Sequence, residues 1–302
     1  MKKEILTLFK KGLIKALVFA ASFTLGMFIA RQAKAQNEAS SLLWKVEGKK
    51  LDKPSYVFGT IHLICPDDFF LPESVKNTVS SVDQVVMELD MDDPQLMPKM
   101  QQLSMNPGMK NFSADLTEGQ ANAINGFFTK HYGANLTQLG IMKPFALMSM
   151  MLVKSIGCDQ PASYEQSLVK EAKTNEIEVL GLETVEFQFS VFDNASLEEQ
   201  VSWLVDYAED EEAMKNEFEM LVQSYKKQDV DAMHDLMISS PQFQSLMDEL
   251  LYKRNQNWIS KIEEYASEKP TFFAVGAGHL GSDKGVLALL RKEGYKVTPV
   301  LQ

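Results

Sequence analysis

The chain has 302 residues, with 30 Lys plus Arg against 41 Asp plus Glu and a formal net charge of −11. An acidic surface of that size repels phosphate backbones, so no nucleic-acid partner is expected. Hydrophobic residues make up 45%, enough for a buried core, and two cysteines are too few for a structural zinc site, which usually takes four ligands.

The chain opens with a basic segment, Lys2, Lys3, Lys10, Lys11 and Lys15. An uncharged, apolar run follows over 16–30, and then Ala33-Lys34-Ala35. Basic, apolar, small-x-small is the order of a secretory signal peptide. The expectation is removal of residues 1–35 and a working domain over 36–302 in the periplasm or outside the cell. The run is shorter than the roughly 20 residues that cross a bilayer as a helix, so no stable membrane span is expected after cleavage; the rival reading is an uncleaved anchor. The leader holds seven Lys/Arg and one Glu, which leaves the remainder at −17. Export places Cys65 and Cys158 where a disulfide persists, so a bond between them is expected, with two unpaired buried thiols as the alternative.

In chain order, residues 42–46 and 55–61 read as two strands of a hairpin. Pro72 opens a short helix over 73–81, and residues 85–89 form a buried strand. From Pro94 to about Phe192 the pattern is helical and methionine-rich, with helices at 121–131, 144–156 and 163–175, and then a strand at 178–182. Methionine fills irregular cores, so this stretch predicts a packed helical lobe, an insertion over about 94–176. Residues 196–226 read as a long acidic helical stretch with a solvated face. A helix at 251–266, a strand at 271–275, a helix at 284–292 and a strand at 296–300 complete the chain. The fold class is α/β (α+β): a mixed sheet built from two βαβ-type units with a large helical insertion.

One pattern occurs twice. A strand runs into Gly59-Thr60-Ile61-His62, and another into Gly276-Ala277-Gly278-His279; each is followed by a helix and a further strand. Glycine lets the backbone turn or approach closely at a strand end. Each His then lies at the mouth of the sheet, where open α/β sheets gather ligands. Imidazole is the commonest transition-metal ligand, and catalytic sites often join two His to a carboxylate. Glu88, in the apolar strand 85–89, is the first candidate carboxylate, because a glutamate there must be paired, metal-bound or at the strand's end. Glu183, after a second apolar strand, is the other. Blander readings stand beside these: a loop-bonding role for either His, a pairing of Glu88 with Arg254, and a first-turn helix acid for Glu183. His131 and His234 read as surface or packing residues.

Taken together, Gly59-Thr60-Ile61-His62, Met87-Glu88-Leu89-Asp90, Gly181-Leu182-Glu183-Thr184, Arg254-Asn255 and Gly276-Ala277-Gly278-His279-Leu280 resemble the TraB/GumN family. The likeness is to its exported bacterial GumN-like branch, which is similar to the Tiki metalloproteases of animals, and it covers nearly all of residues 36–302. It implies repeated βαβ units with an inserted helical region, as in erythromycin esterase-like and ChaN-like folds. It also implies divalent-metal-dependent peptide hydrolysis with His62, Glu88 and His279 at the ion, and Glu183 and Arg254 in matching motifs.

The function expected is an exported metal-dependent hydrolase, a peptidase, with Mn, Co or Zn as cofactor and a peptide or small molecule as substrate. The carboxylate that does not ligate, Glu88 or Glu183, would be the general base, and Arg254 would orient a carboxylate or stabilise an oxyanion. Two rivals remain: a metal-free esterase-like hydrolase with a His as base, and a non-catalytic protein in which the two His hold haem or a small ligand.

Overall fold

The structure is a computed structural model and describes residues 40–48, 51–240 and 246–301; the expected leader lies outside them. Its strands are β1 (Leu43–Glu47), β2 (Ser55–Thr60), β3 (Leu63–Ile64), β4 (Gln84–Met87), β5 (Ala162–Ser163), β6 (Glu178–Gly181), β7 (Thr271–Gly276) and β8 (Lys296–Pro299). The mixed α/β class read from the sequence is what forms. Six strands make one sheet in the order β6-β4-β7-β2-β1-β8, and β3 pairs with β5 in a separate ribbon.

β1 and β2 are the expected hairpin, antiparallel with Trp44 opposite Val57. β2, β7, β4 and β6 are mutually parallel. Parallel strands need a crossover connection and are buried on both faces. Accordingly, Gln84, Val85, Val86 and Met87 are all buried, and so are residues 271–275 of β7.

Helix α1 (Glu73–Val79) leads from β2 toward β4, and α2 (Leu96–Leu103) follows β4. Next come α3 (Glu118–Tyr132), α4 (Leu136–Leu139), α5 (Pro144–Ser155), α6 (Tyr164–Thr174), α7 (Val185–Asp193), α8 (Leu197–Glu209), α9 (Glu211–Lys226) and α10 (Val230–Ser239). The acidic stretch 196–226 is broken at Asp210, whose backbone leaves helical geometry and whose side chain caps α9 by accepting from the Ala213 N–H. After a π-helical turn at Asp248–Tyr252, α11 (Lys253–Glu268) leads into β7, and α12 (Val286–Lys292) into β8.

Two large cores result. One covers both faces of the sheet and joins Phe58, Val86 and Phe273 to Tyr164 of α6 and Trp258 of α11. The other is helical and packs Phe128, Met148 and Met151 against Trp203, Leu204 and Tyr207. The helical core therefore draws on residues on both sides of β6.

Candidate active site

Because β6, β4, β7 and β2 are parallel neighbours, their C-terminal ends lie along one edge of the sheet. Just past those ends come Glu183, Glu88, His279 and His62, in that spatial order. This is the edge where open α/β sheets place their ligands. The sequence puts Glu88 inside a strand; the ladder stops at Met87, so Glu88 is the first residue beyond it. Gly59 is required by close approach: a Cβ there would meet Ala277 Cβ and Leu280 Cδ1 at 2.9 Å. The turn carrying His279 thus packs directly on the strand that leads to His62.

Arg254, on the first turn of α11, stands among these groups. Its Nε donates to Glu183 at 3.0 and 3.3 Å. Its Nη2 donates to Glu88 Oε2 and Glu183 Oε1, both at 2.5 Å. Its Nη1 donates to the Leu250 carbonyl at 3.0 Å and to His279 Nε2 at 3.3 Å. A guanidinium has five N–H donors, and here each has a protein acceptor. The guanidinium also lies over the Trp258 ring at 4.9 Å. Burial opposes its charge, and Glu88 and Glu183 more than restore it, so its pKa is raised.

Glu183 is engaged on both oxygens. Trp258 Nε1 donates to Oε2 at 3.0 Å, and Gln188 Nε2 to Oε1 at 2.9 Å. Gln188 also reaches Glu88 Oε2 at 3.2 Å. The other Glu88 oxygen accepts the Gly276 N–H at 2.8 Å and lies 3.9 Å from His279 Nε2. Burial alone would raise the Glu88 pKa, but the Arg254 guanidinium beside it, helped by the Gly276 N–H, holds it well below the usual carboxylate range. Glu88 is therefore ionised.

His279 is wired on both sides. Asn255 Nδ2 donates to the carbonyls of His279 and Lys284, which turns its Oδ1 toward the imidazole, 2.6 Å from Nδ1. Nδ1 accordingly carries the proton, and the Nε2 lone pair accepts from Arg254. Burial pushes the pKa down to about 3, so the ring is neutral at ordinary pH.

His62 differs. Its side chain is 69% exposed, and its Nδ1 lies 3.0 Å from Glu165 Oε1. The Glu165 carboxylate raises its pKa above the ordinary value. Glu165 is 14% exposed and accepts from Thr60 Oγ1 at 2.8 Å as well.

Among the described residues, no three His, Cys, Asp or Glu are gathered closely enough to hold an ion. The guanidinium stands between Glu88, Glu183 and His279, and His62 is bonded to Glu165. The donor chemistry nonetheless fits a divalent ion. Each imidazole has Nδ1 committed to a side-chain oxygen and Nε2 as its remaining nitrogen, the arrangement of metal-binding histidines. An ion at His279 Nε2 would have to take the place of the Arg254 contact.

Glu165, Gln188 and Trp258 carry no mark in the sequence, since each lies outside the repeated motifs and reaches the site only through the packing of its helix. His131 bonds Glu211 Oε2 at 2.8 Å. His234 is 4% exposed and bonds the Tyr252 hydroxyl. The expected disulfide joins Cys65 to Cys158 with their Cα atoms 5.8 Å apart. Among the described residues, no helix is long and apolar enough to cross a membrane.

The chain is similar in sequence to known proteins. The chain is 24% identical over 318 residues to metalloprotease TIKI2 of Danio rerio, covering 87% of this chain and 61% of the relative. It is 24% identical to metalloprotease TIKI1 of Homo sapiens, covering 87% and 62%. The chain thus spans about three fifths of the length of these relatives. No solved structure matches it. The family model for TraB/PrgY/gumN matches residues 42–299, which take in all four strand ends and Arg254, and the chain belongs to that family.

Proposed function

We propose that this chain is an exported, divalent-metal-dependent hydrolase that cleaves peptide bonds. The observation that carries the reading is the pair of imidazoles at neighbouring strand ends, each bonded through Nδ1 to a side-chain oxygen, beside the ionised Glu88. Nε2 of His62, Nε2 of His279 and the Glu88 carboxylate would hold the ion. A divalent ion, when bound, supplies an acidified water and polarises the scissile carbonyl. His279 is already neutral, as a ligand must be, and His62, whose pKa Glu165 raises, would release its Nε2 proton on binding. Arg254 balances the charge of two buried carboxylates, and Glu183 holds Arg254. The names of the relatives point the same way.

The metal-free esterase reading needs an imidazole base poised near neutral pH. His279 is pushed down to about 3 and His62 is raised, so neither ring is so poised. Export is supported by the disulfide, which persists in oxidising compartments.

The test is the native protein isolated from the cell envelope or medium. One Mn, Co or Zn per chain is expected, with hydrolysis of a mixed peptide library that stops on chelation and returns with the ion. Ester hydrolysis that persists without any metal would overturn the reading. A Soret band would replace it with the haem-binding one.

A further inference from the structure

We propose that Glu165 is the positioning residue of His62, and that the Cys65–Cys158 disulfide keeps the two in register. The inference rests on His62 belonging to the site proposed above.

His62 lies two residues beyond β2, on a loop, with most of its side chain in solvent. An exposed imidazole samples several rotamers unless something holds it. Glu165 is suited to hold it. It is nearly buried, and it enters from the first turn of α6, whose start is fixed by Ser163 accepting the Gln166 N–H. Its own carboxylate is clamped: Oε1 takes Thr60 Oγ1 at 2.8 Å, and Oε2 takes Ser163 Oγ at 3.2 Å. Through Thr60, Glu165 is tied to the last residue of β2, so the contact to His62 Nδ1 is referenced to the sheet. The carboxylate accepts the Nδ1 proton and leaves Nε2 as the ring nitrogen free for other work.

Glu165 and His62 are 103 residues apart in sequence. The local frame between them is the ribbon of β3 and β5, in which Leu63 faces Ser163 and Ile64 faces Ala162. Strands of two residues do not hold a register by themselves. At the His62 and Glu165 end, the ribbon is closed by that hydrogen bond. At the other end, Cys65, the next residue after Ile64, is bonded to Cys158. The covalent link and the hydrogen bond therefore bracket the same ribbon. Tyr164 is fully buried and donates to the Phe70 carbonyl at 2.7 Å, so α6 stays docked when the link is cut and only the register loosens.

The test uses the full chain, oxidised and metal-free, and reads the imidazole nitrogens by 15N NMR, with the His62→Ala spectrum assigning the signal. At a pH above the raised His62 pKa, the wild type should show a single Nδ1–H tautomer. Glu165→Gln, which keeps an acceptor, should retain it. Glu165→Ala should give averaged tautomers with unchanged circular dichroism. The same proteins are then titrated with Co2+ as the probe. Glu165→Ala should bind about 10- to 100-fold more weakly than wild type, and reduced wild type should behave like Glu165→Ala. A tautomer signal and Co2+ affinity in Glu165→Ala identical to wild type would overturn the positioning role. Reduced protein indistinguishable from oxidised protein would overturn the part given to the disulfide. If the wild type binds no Co2+, the metal reading fails, and the NMR arm still decides the role of Glu165. If Glu165→Ala misfolds, Glu165→Met, which keeps the bulk of the side chain but removes the carboxylate acceptor, takes its place with the same expected and overturning results.

Discussion

The two Gly-x-x-His turns are alike in sequence and opposite in surroundings. The His279 turn is buried and bonded from both sides, by Asn255 and by Arg254. The His62 turn is open to solvent, and its ring bonds a single carboxylate. The repeat of four residues thus sets where each imidazole sits along the sheet edge, and the elements packed above it set the charge state and freedom of the ring. One half of the site is assembled as part of the core; the other is attached to it.

Removing the centre of the buried half should have the largest effect. Arg254→Met leaves Glu88 and Glu183 without their cation, and breaking a buried ion pair from one side costs about 3–5 kcal/mol. Urea unfolding at pH 7 checks this. A loss under about 1 kcal/mol would mean that water already reaches the carboxylates.

Acid should come next and should divide the two histidines by sign. The folded His279 refuses a proton until about pH 3, whereas an unfolded chain takes one near pH 6.5. Its share of stability is whole above pH 6.5 and is lost as pH falls through that window, on the order of 3 kcal/mol by pH 4. His62 has a raised folded pKa, so its contribution is present below pH 6.5 and is lost as pH rises through the raised value; exposure keeps it small. Unfolding free energies of wild type and His279→Gln between pH 4 and 7 should converge toward the acid end. Parallel curves would contradict a neutral, buried His279.

Asn255→Ala should have a middling effect, about 1–3 kcal/mol, because it strips the acceptor from His279 Nδ1 and the donor from two carbonyls. The smallest effect is expected from His62→Ala, within about 0.5 kcal/mol, since surface changes away from packed features cost little. A melting temperature well below wild type for that variant would show His62 to be structural and would erase the contrast between the halves.

Much of the frame is legible in the residues. The β-branched and aromatic runs ending in glycine give the strands, and two histidines at matched offsets point to one edge. Glu88 shows itself as the charged group in an apolar run. The part played by Arg254 is not legible in this way, because a sequence shows a cation but not how many acceptors surround it. With all five donors used inside the protein, it ties Glu88, Glu183 and His279 to one group. Glu165, Gln188 and Trp258 stay hidden for a related reason: each is one turn of a helix whose docking depends on long-range packing. The break at Asp210 was visible only as one more acid in an acidic stretch, although its capping of Ala213 ends one helix and starts the next.

The position of β7 also bears on how the molecule comes together. β7 begins at Thr271, yet it lies in the middle of the sheet between β2 and β4, which do not pair with each other. Until residues 271–276 are in place, the sheet is two separate pieces: β6 with β4, carrying both glutamates, and β2 with β1, carrying His62. A chain growing from its amino end therefore displays two open strand edges for nearly its whole length, and contacts of such sequence separation form slowly. The strand that closes the gap is the same one that delivers His279, so the joining of the two pieces of the sheet and the completion of the site are a single late event.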